Sequence, residues 1–175
     1  MSAAPKRLLL LRHGLPDYRD HKAGDEWPGP SLSDIGRAQA AQAAAALQPL
    51  APPLVLASPL TRTCQTAEIV ASTLRIPLRV EPELREWHRT ESLYEVTLRL
   101  TRWLVRWVRA GVPNTLIVSH ASPILALLRS ALYLPQATWW KMGHPGTLEL
   151  STADRFEVTM ASIFELMVEP DWVTV

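Results

Sequence analysis

The sequence predicts an α/β fold, a mostly parallel sheet with helices on both faces, and three observations carry that prediction. Short apolar runs alternate with longer segments of helical periodicity along 175 residues. Two runs, LLLLRHG at 8–14 and TLIVSHAS at 115–122, stop at a polar tip, as buried strands do when they deliver a side chain to a sheet edge. Ser-Pro pairs at 58–59 and 122–123 follow two of the strands, and that pairing opens helices.

The elements follow in order. Residues 8–11 form a strand, and 14–32 a loop rich in Pro, Gly and charge. Ser33 caps a helix through the Ala/Gln segment to residue 47, closed by Pro49. A second strand covers 54–57. Ser58 then caps a helix with Pro59 at its first position, running through Thr61 to residue 74 and placing Arg62 one turn inside. Residues 76–80 are a third strand, leading into a polar turn around Leu84, Glu86 and His88. The longest helical pattern is 91–110, with Leu93, Val96, Leu100, Trp103, Leu104, Trp107 and Val108 on one face and Gly111 and Pro113 as its stop. Strand 115–119 precedes a helix opened by Ser122 and Pro123 and ending near 132. Runs 147–150 and 156–165 alternate as late strands, paired as a hairpin. No repeat or low-complexity linker divides the chain, so 1–175 reads as one domain with a real core.

Composition narrows the function classes. Hydrophobic content of 47% with 20% charged residues is that of an ordinary folded domain. A net charge of +1 gives no global field, so neither nucleic acid nor a membrane surface is expected as a partner. Arg carries most of the positive charge, which suits planar, bidentate anion contacts. The single cysteine, Cys64, cannot form an internal disulfide and fits a reducing compartment. The apolar run near the start is interrupted by Arg12 after four leucines, too short for a secretion signal or a span, and the expected location is the cytoplasm.

Four segments carry chemistry. In Arg12-His13-Gly14 the glycine permits a tight turn and close backbone approach to a ligand, and a neutral His13 can be a nucleophile; an isolated RHG is more often a polar strand end with a satisfied histidine. In ASPLTRTCQTAE, 57–68, Arg62 adds a guanidinium to an anion-friendly helix start, against the plainer reading of a surface arginine. SHASP, 119–123, repeats that geometry with His120. In ELREWHRT, 83–90, Glu86 is a general acid candidate when burial and a nearby phosphate favour its protonated form, with Glu83 and Glu91 as competitors. A metal site is disfavoured because the histidines lack compact zinc spacing and two arginines would repel a cation. There is no G-x-S-x-G elbow, P-loop or dinucleotide fingerprint. Arg99, Arg102, Arg106 and Arg109 read as a solvated helix face, and Trp103 and Trp107 as packing residues. Trp139, Trp140, Lys141, His144 and Gly146 read as a loop that either walls a pocket or is only packed.

Together LLLLRHG, LSDIGRAQA, ASPLTRTCQTAEI, ELRE and IVSHASP, in that order, resemble the histidine phosphatase superfamily, the phosphoglycerate-mutase-like group. The resemblance covers roughly 6–132 and implies a three-layer αβα sandwich with catalysis through a phosphohistidine and no metal or cofactor. It implies that His13 attacks phosphorus, Arg12 and Arg62 clamp its oxygens, His120 donates a further hydrogen bond, and Glu86 protonates the leaving oxygen. Ala121 would offer its backbone N–H to the phosphate where relatives carry Gly. Arg19 is the candidate to replace an Asn that relatives place near the phosphate. The stretch after Glu86 lacks the family's Gly-Trp-Glu-Gly-like continuation, and the chain is short for a mutase, so hydrolysis is expected. The expected substrate is a phosphorylated small molecule or phosphoprotein. A mutase and a non-catalytic phospho-ligand module are the alternatives. Specificity is expected in 17–30, 87–92 and 139–145, and a homodimer is compatible with the sequence.

Overall fold

The structure, a computed structural model, describes residues 6–19, 27–112, 114–132, 137–143, 146–149 and 160–168. In chain order these form β1 (Lys6–Arg12), α1 (Asp34–Leu47), β2 (Val55–Ala57), α2 (Thr61–Leu74), β3 (Leu78–Val80), α3 (Leu93–Arg109), β4 (Thr115–Ser119), α4 (Ala121–Leu132), β5 (Ala137–Gly143), β6 (Gly146–Glu149) and β7 (Ile163–Val168). One sheet in the order β3-β2-β4-β1-β7-β5-β6 joins them. The first four neighbours are parallel; β7 joins β1 antiparallel, and β5 and β6 continue antiparallel beyond it.

The alternation of side chains along each strand builds the three layers. Leu8 and Leu10 of β1, Leu56 of β2, Ile117 of β4 and Phe164 of β7 share a core with Val96, Leu100 and Trp103 of α3 and Ile124 and Leu127 of α4. Leu9 and Leu11, Val55, Leu116 and Val118 point the other way, onto Ala43, Ala44 and Leu47 of α1 and Ala67 and Val70 of α2. The four leucines of β1 are at most 1% exposed, and burying each contributes about 1.5–3 kcal/mol. The expected αβα sandwich is what forms.

Several boundaries and devices differ from expectation. Helix α2 starts at Thr61 with Leu60 as an N-cap that offers no side chain, so Ser58 and Pro59 lie outside it and Arg62 is its second residue. Helix α4 begins at Ala121, which puts Ser122 inside the first turn rather than at the cap. Helix α3 is capped by a reciprocal Ser92–Glu95 box, and Leu93, at its tip, is 57% exposed despite its apolar register. Trp103 and Trp107 stack within the core, as their spacing suggests. The late hairpin is not β6 with β7: β5 lies between them, pairing with both. Trp139, Trp140 and Lys141 are therefore strand residues and Gly146 opens β6, while His144 and Pro145 lie outside the described residues. Among the described residues no helix is long and apolar enough to cross a membrane.

Candidate active site

The carboxyl ends of three adjacent parallel strands, β2, β4 and β1, converge on one edge, the usual ligand edge of an open α/β sheet. Arg12 stands in register with Ser119. His13 N–H then donates to the Ser119 carbonyl, and Ser58 N–H to the Val118 carbonyl, each at 3.0 Å. These bonds carry the strand register one residue past each strand and set His13, Ser58 and His120 side by side. The His13 and His120 rings meet edge-on, their centroids 5.1 Å apart.

Both glycines in the first two motifs serve this junction. A Cβ at Gly14 would sit 2.3 Å from the Gly36 carbonyl oxygen, and one at Gly36 would sit 2.1 Å from that of Leu15. Gly14 therefore meets the start of α1 backbone to backbone. Ser33 caps α1 through Gly36 N–H and returns its hydroxyl to the Leu15 carbonyl. Gln39 accepts from Leu15 N–H at 2.8 Å, and Thr66 from Gly14 N–H at 3.2 Å. The loop after His13 is thus pinned by α1 and α2 together.

His13 is 2% exposed, and its Nδ1 lies 2.8 Å from the Gly14 carbonyl oxygen. A carbonyl only accepts, so Nδ1 carries the proton and Nε2 keeps its lone pair. Arg62, itself 1% exposed, donates from Nε to that Nε2 at 3.2 Å. Burial, helped by the charges of Arg62 and Arg12 and opposed by the Gly14 contact, pushes His13 down to about 3. The imidazole is neutral at physiological pH, the state a nucleophile needs.

His120 is fully buried, with Nε2 2.7 Å from Ser58 Oγ. Its Nδ1 is buried with no hydrogen-bond partner, 3.8 Å from Glu86 Oε2. Burial, then the His13 ring and the guanidiniums of Arg62, Arg12 and Arg99, keep it well below its ordinary value and uncharged. In the tautomer in which the Ser58 hydroxyl donates to Nε2, Nδ1 carries a proton with no partner on the Glu86 side, and an anionic oxygen there would satisfy it. Burial lowers the Arg12 guanidinium, and the charges of Glu86 and Tyr18 partly restore it.

The structure separates the competing carboxylates. Glu91 is locked by Arg85 and Arg99, and, against the upward push of burial, their hydrogen bonds and charges hold it at about 2. Glu83 pairs with Arg106 at an exposed position. Glu86 alone of the three approaches His120; its Oε1 accepts from Trp87 N–H at 2.8 Å. Arg19 is exposed and forked onto Asp17, in a turn of its own. Ala121 is the first residue of α4, where helix N–H groups lack intrahelical partners.

Two residues with roles here escaped the sequence. Ser58 reads as a cap but partners His120. Arg99 reads as solvated, yet its side chain is 14% exposed and reaches the Glu83–Glu91 turn. Its signal was position: it borders the apolar stripe of α3, whereas Arg109 lies opposite. Among the described residues no cluster of three or more His, Cys, Asp or Glu is arranged to hold a metal ion.

A neutral, buried imidazole whose Nε2 meets a guanidinium, with a second imidazole nitrogen left without a partner beside it, suits a phosphoryl group. The chain belongs to the histidine phosphatase superfamily (branch 1), whose model matches residues 8–90 and 88–162. It is 29% identical to glucosyl-3-phosphoglycerate phosphatase of Mycobacterium tuberculosis, over 81% of this chain and 82% of that one. It is 32% identical to the probable phosphoglycerate mutase GpmB of Proteus mirabilis, over 74% of this chain and 65% of that protein. A solved mycobacterial glucosyl-3-phosphoglycerate phosphatase complexed with VO3 superposes with a TM-score of 0.65 at 26% identity, covering 74% and 82% of the two chains.

Proposed function

We propose that residues 1–175 form a single catalytic domain that hydrolyses a phosphomonoester through a covalent phosphohistidine on His13. One observation carries this reading: His13 is neutral, its Nδ1 proton is held by the Gly14 carbonyl, and its Nε2 lone pair is presented beside Arg62.

In the first step the Arg62 Nε–H shifts its hydrogen bond from Nε2 to a phosphoryl oxygen, which frees the lone pair, and the Nε2–P bond forms as the P–O bond to the leaving group breaks in line. Arg12, Arg62 and the His120 Nδ1–H stabilise the equatorial oxygens, with the Ala121 N–H as a further donor. The leaving oxygen takes its electron pair and the proton of the Glu86 carboxyl. The phosphorylated ring keeps its Nδ1 proton, so it is a cation whose charge the Gly14 carbonyl supports. In the second step the Glu86 carboxylate accepts a proton from water as that oxygen attacks phosphorus. The N–P bond breaks, phosphate leaves, and His13 and Glu86 return to their starting states.

The mycobacterial relatives are named for glucosyl-3-phosphoglycerate, and from them this chain takes the coarser class of a phosphorylated small molecule. Hydrolysis is favoured over phosphate shuffling because the two further arginines nearest in sequence to the site residues, Arg19 and Arg85, are already paired with Asp17 and Glu91. Arg19 would reach a substrate only by leaving Asp17. A reducing, cytoplasmic setting suits the single Cys64. The test is hydrolysis of an aryl phosphate with a chelator present. Activity should survive the chelator and vanish in His13→Ala; chelator-sensitive activity, or an active His13→Ala protein, would overturn the mechanism.

A further inference from the structure

The turn that carries Glu86 has little regular structure: a single 3-10 turn over Pro82–Leu84, then residues with no helix or strand up to Glu86. Its backbone carbonyls are nevertheless all taken. Arg99 Nη1, from α3, donates to the carbonyl of Glu83 and, at 3.2 Å, to that of Arg85. Ser119 Oγ, at the end of β4, donates to the carbonyl between them, that of Leu84, at 2.7 Å. Arg85 Nη1 reaches the Glu86 carbonyl itself at 3.3 Å. Four consecutive carbonyls are thus fixed by side chains.

We propose that Arg99 and Ser119 are positioning residues for the proton donor, fixing the Glu86 turn against the strand end that also delivers His120. Three features support this. Ser119 is buried and immediately precedes His120, so one strand end sets the reference for both groups that flank the phosphoryl oxygens. Arg99 is anchored between Val96 and Leu100, both fully buried, so its Cα cannot drift along the core. Its other arm holds Glu91 at 3.3 Å, which fastens the far side of the same turn and keeps that rival carboxylate ionised. Neither residue contacts the reacting atoms; both act through the place and aim of Glu86.

The proposal rests on the phosphatase reading, and leaving-group chemistry separates the two. An alkyl phosphate leaves as an alkoxide and needs Glu86's proton; a 2,4-dinitrophenyl phosphate leaves as a stable phenolate and needs little help. Wild type, Glu86→Gln, Arg99→Lys and Ser119→Ala are compared on ethyl phosphate and 2,4-dinitrophenyl phosphate. General acid catalysis supplies about 10²–10⁴-fold, so a misaimed donor should cost at least about tenfold in kcat/KM on ethyl phosphate and less than about threefold on the dinitrophenyl ester. A variant that lost its fold would lose activity on both esters alike, so a loss confined to ethyl phosphate reports the donor and not the fold. Equal losses on both esters, or none on either, would overturn the positioning role. Wild type inactive on both would overturn the phosphatase reading and the role with it.

Discussion

Replacing Gly36 by alanine sets two known effects against each other, and the geometry decides the sign. Inside a helix, Gly→Ala normally stabilises by about 1 kcal/mol, because alanine has the better helix propensity. Gly36 is the third residue of α1, a place where that gain should apply. Its added Cβ, however, would sit 2.1 Å from the Leu15 carbonyl oxygen and 2.9 Å from the Leu15 nitrogen. Both are backbone atoms, so no side chain can swing away. Leu15 is pinned on both sides, its N–H to Gln39 and its carbonyl to Ser33. Relief to ordinary contact needs a shift of roughly 1 Å between α1 and the loop, and overpacking of this kind costs about 1–3 kcal/mol. The balance of the two is a net destabilisation of about 0–2 kcal/mol, toward the upper end because both clashing atoms are backbone, read by urea denaturation. The shift passes through Gly14 to His13, and a misplacement of about 1 Å can lower kcat by about a hundredfold. A Gly36→Ala protein as stable as wild type, or more so, would refute the close-approach argument.

Other expectations concern the buried polar groups. Ser58→Ala strips the fully buried His120 Nε2 of its partner and should cost about 1–3 kcal/mol in urea denaturation, with reduced turnover; unchanged values on both counts would contradict the assigned hydrogen bond. Glu91 is held at about 2 in the fold against an ordinary 4.5, so the unfolded chain takes up its proton first as pH falls. Its contribution is complete above about 4.5 and lost toward 2, a gap worth at most about 3 kcal/mol. Urea midpoints at pH 5 and pH 3 should therefore converge more closely in Glu91→Gln than in wild type, and identical pH losses would rule the linkage out. The imidazole ¹⁵N spectrum of His13 in the free protein should show Nδ1 protonated and Nε2 bare, unchanged between pH 8 and pH 5. A titration centred near 6.5 would contradict the neutral, buried nucleophile.

The sheet and the residues at its edge were legible because each strand announces itself locally: an apolar run, then Arg12-His13 or Ser119-His120. Ordinary strand pairing then brings those ends together. What stayed hidden depends on which element lies beside which. Ser58 has cap chemistry and sits before a proline, so nothing local tells that its hydroxyl faces His120 across two strands. Gly14 and Gly36 are far apart in the chain, and the 2.3 Å approach that explains both exists only once α1 crosses the β1 loop. Arg99 looks like its solvated neighbours because charge patterning says nothing about the turn packed against that end of α3. Trp139 and Trp140 have strand propensity, yet the nearby Pro and Gly masked it, and β5 entered the sheet between the two runs that read as a hairpin. Glu86 was separable from Glu83 and Glu91 only after their arginine partners were placed.

The central claim is that His13 Nε2 takes the phosphoryl group while Nδ1 stays bound to Gly14. Rapid acid-free quenching of the protein during turnover of a phosphate-labelled ester, followed by peptide mapping, tests it directly. The label should appear on His13 as the Nε2-linked isomer, labile to acid and stable to base, and be absent from His13→Ala. Label on Nδ1, on another residue, or on none while turnover continues would contradict the account.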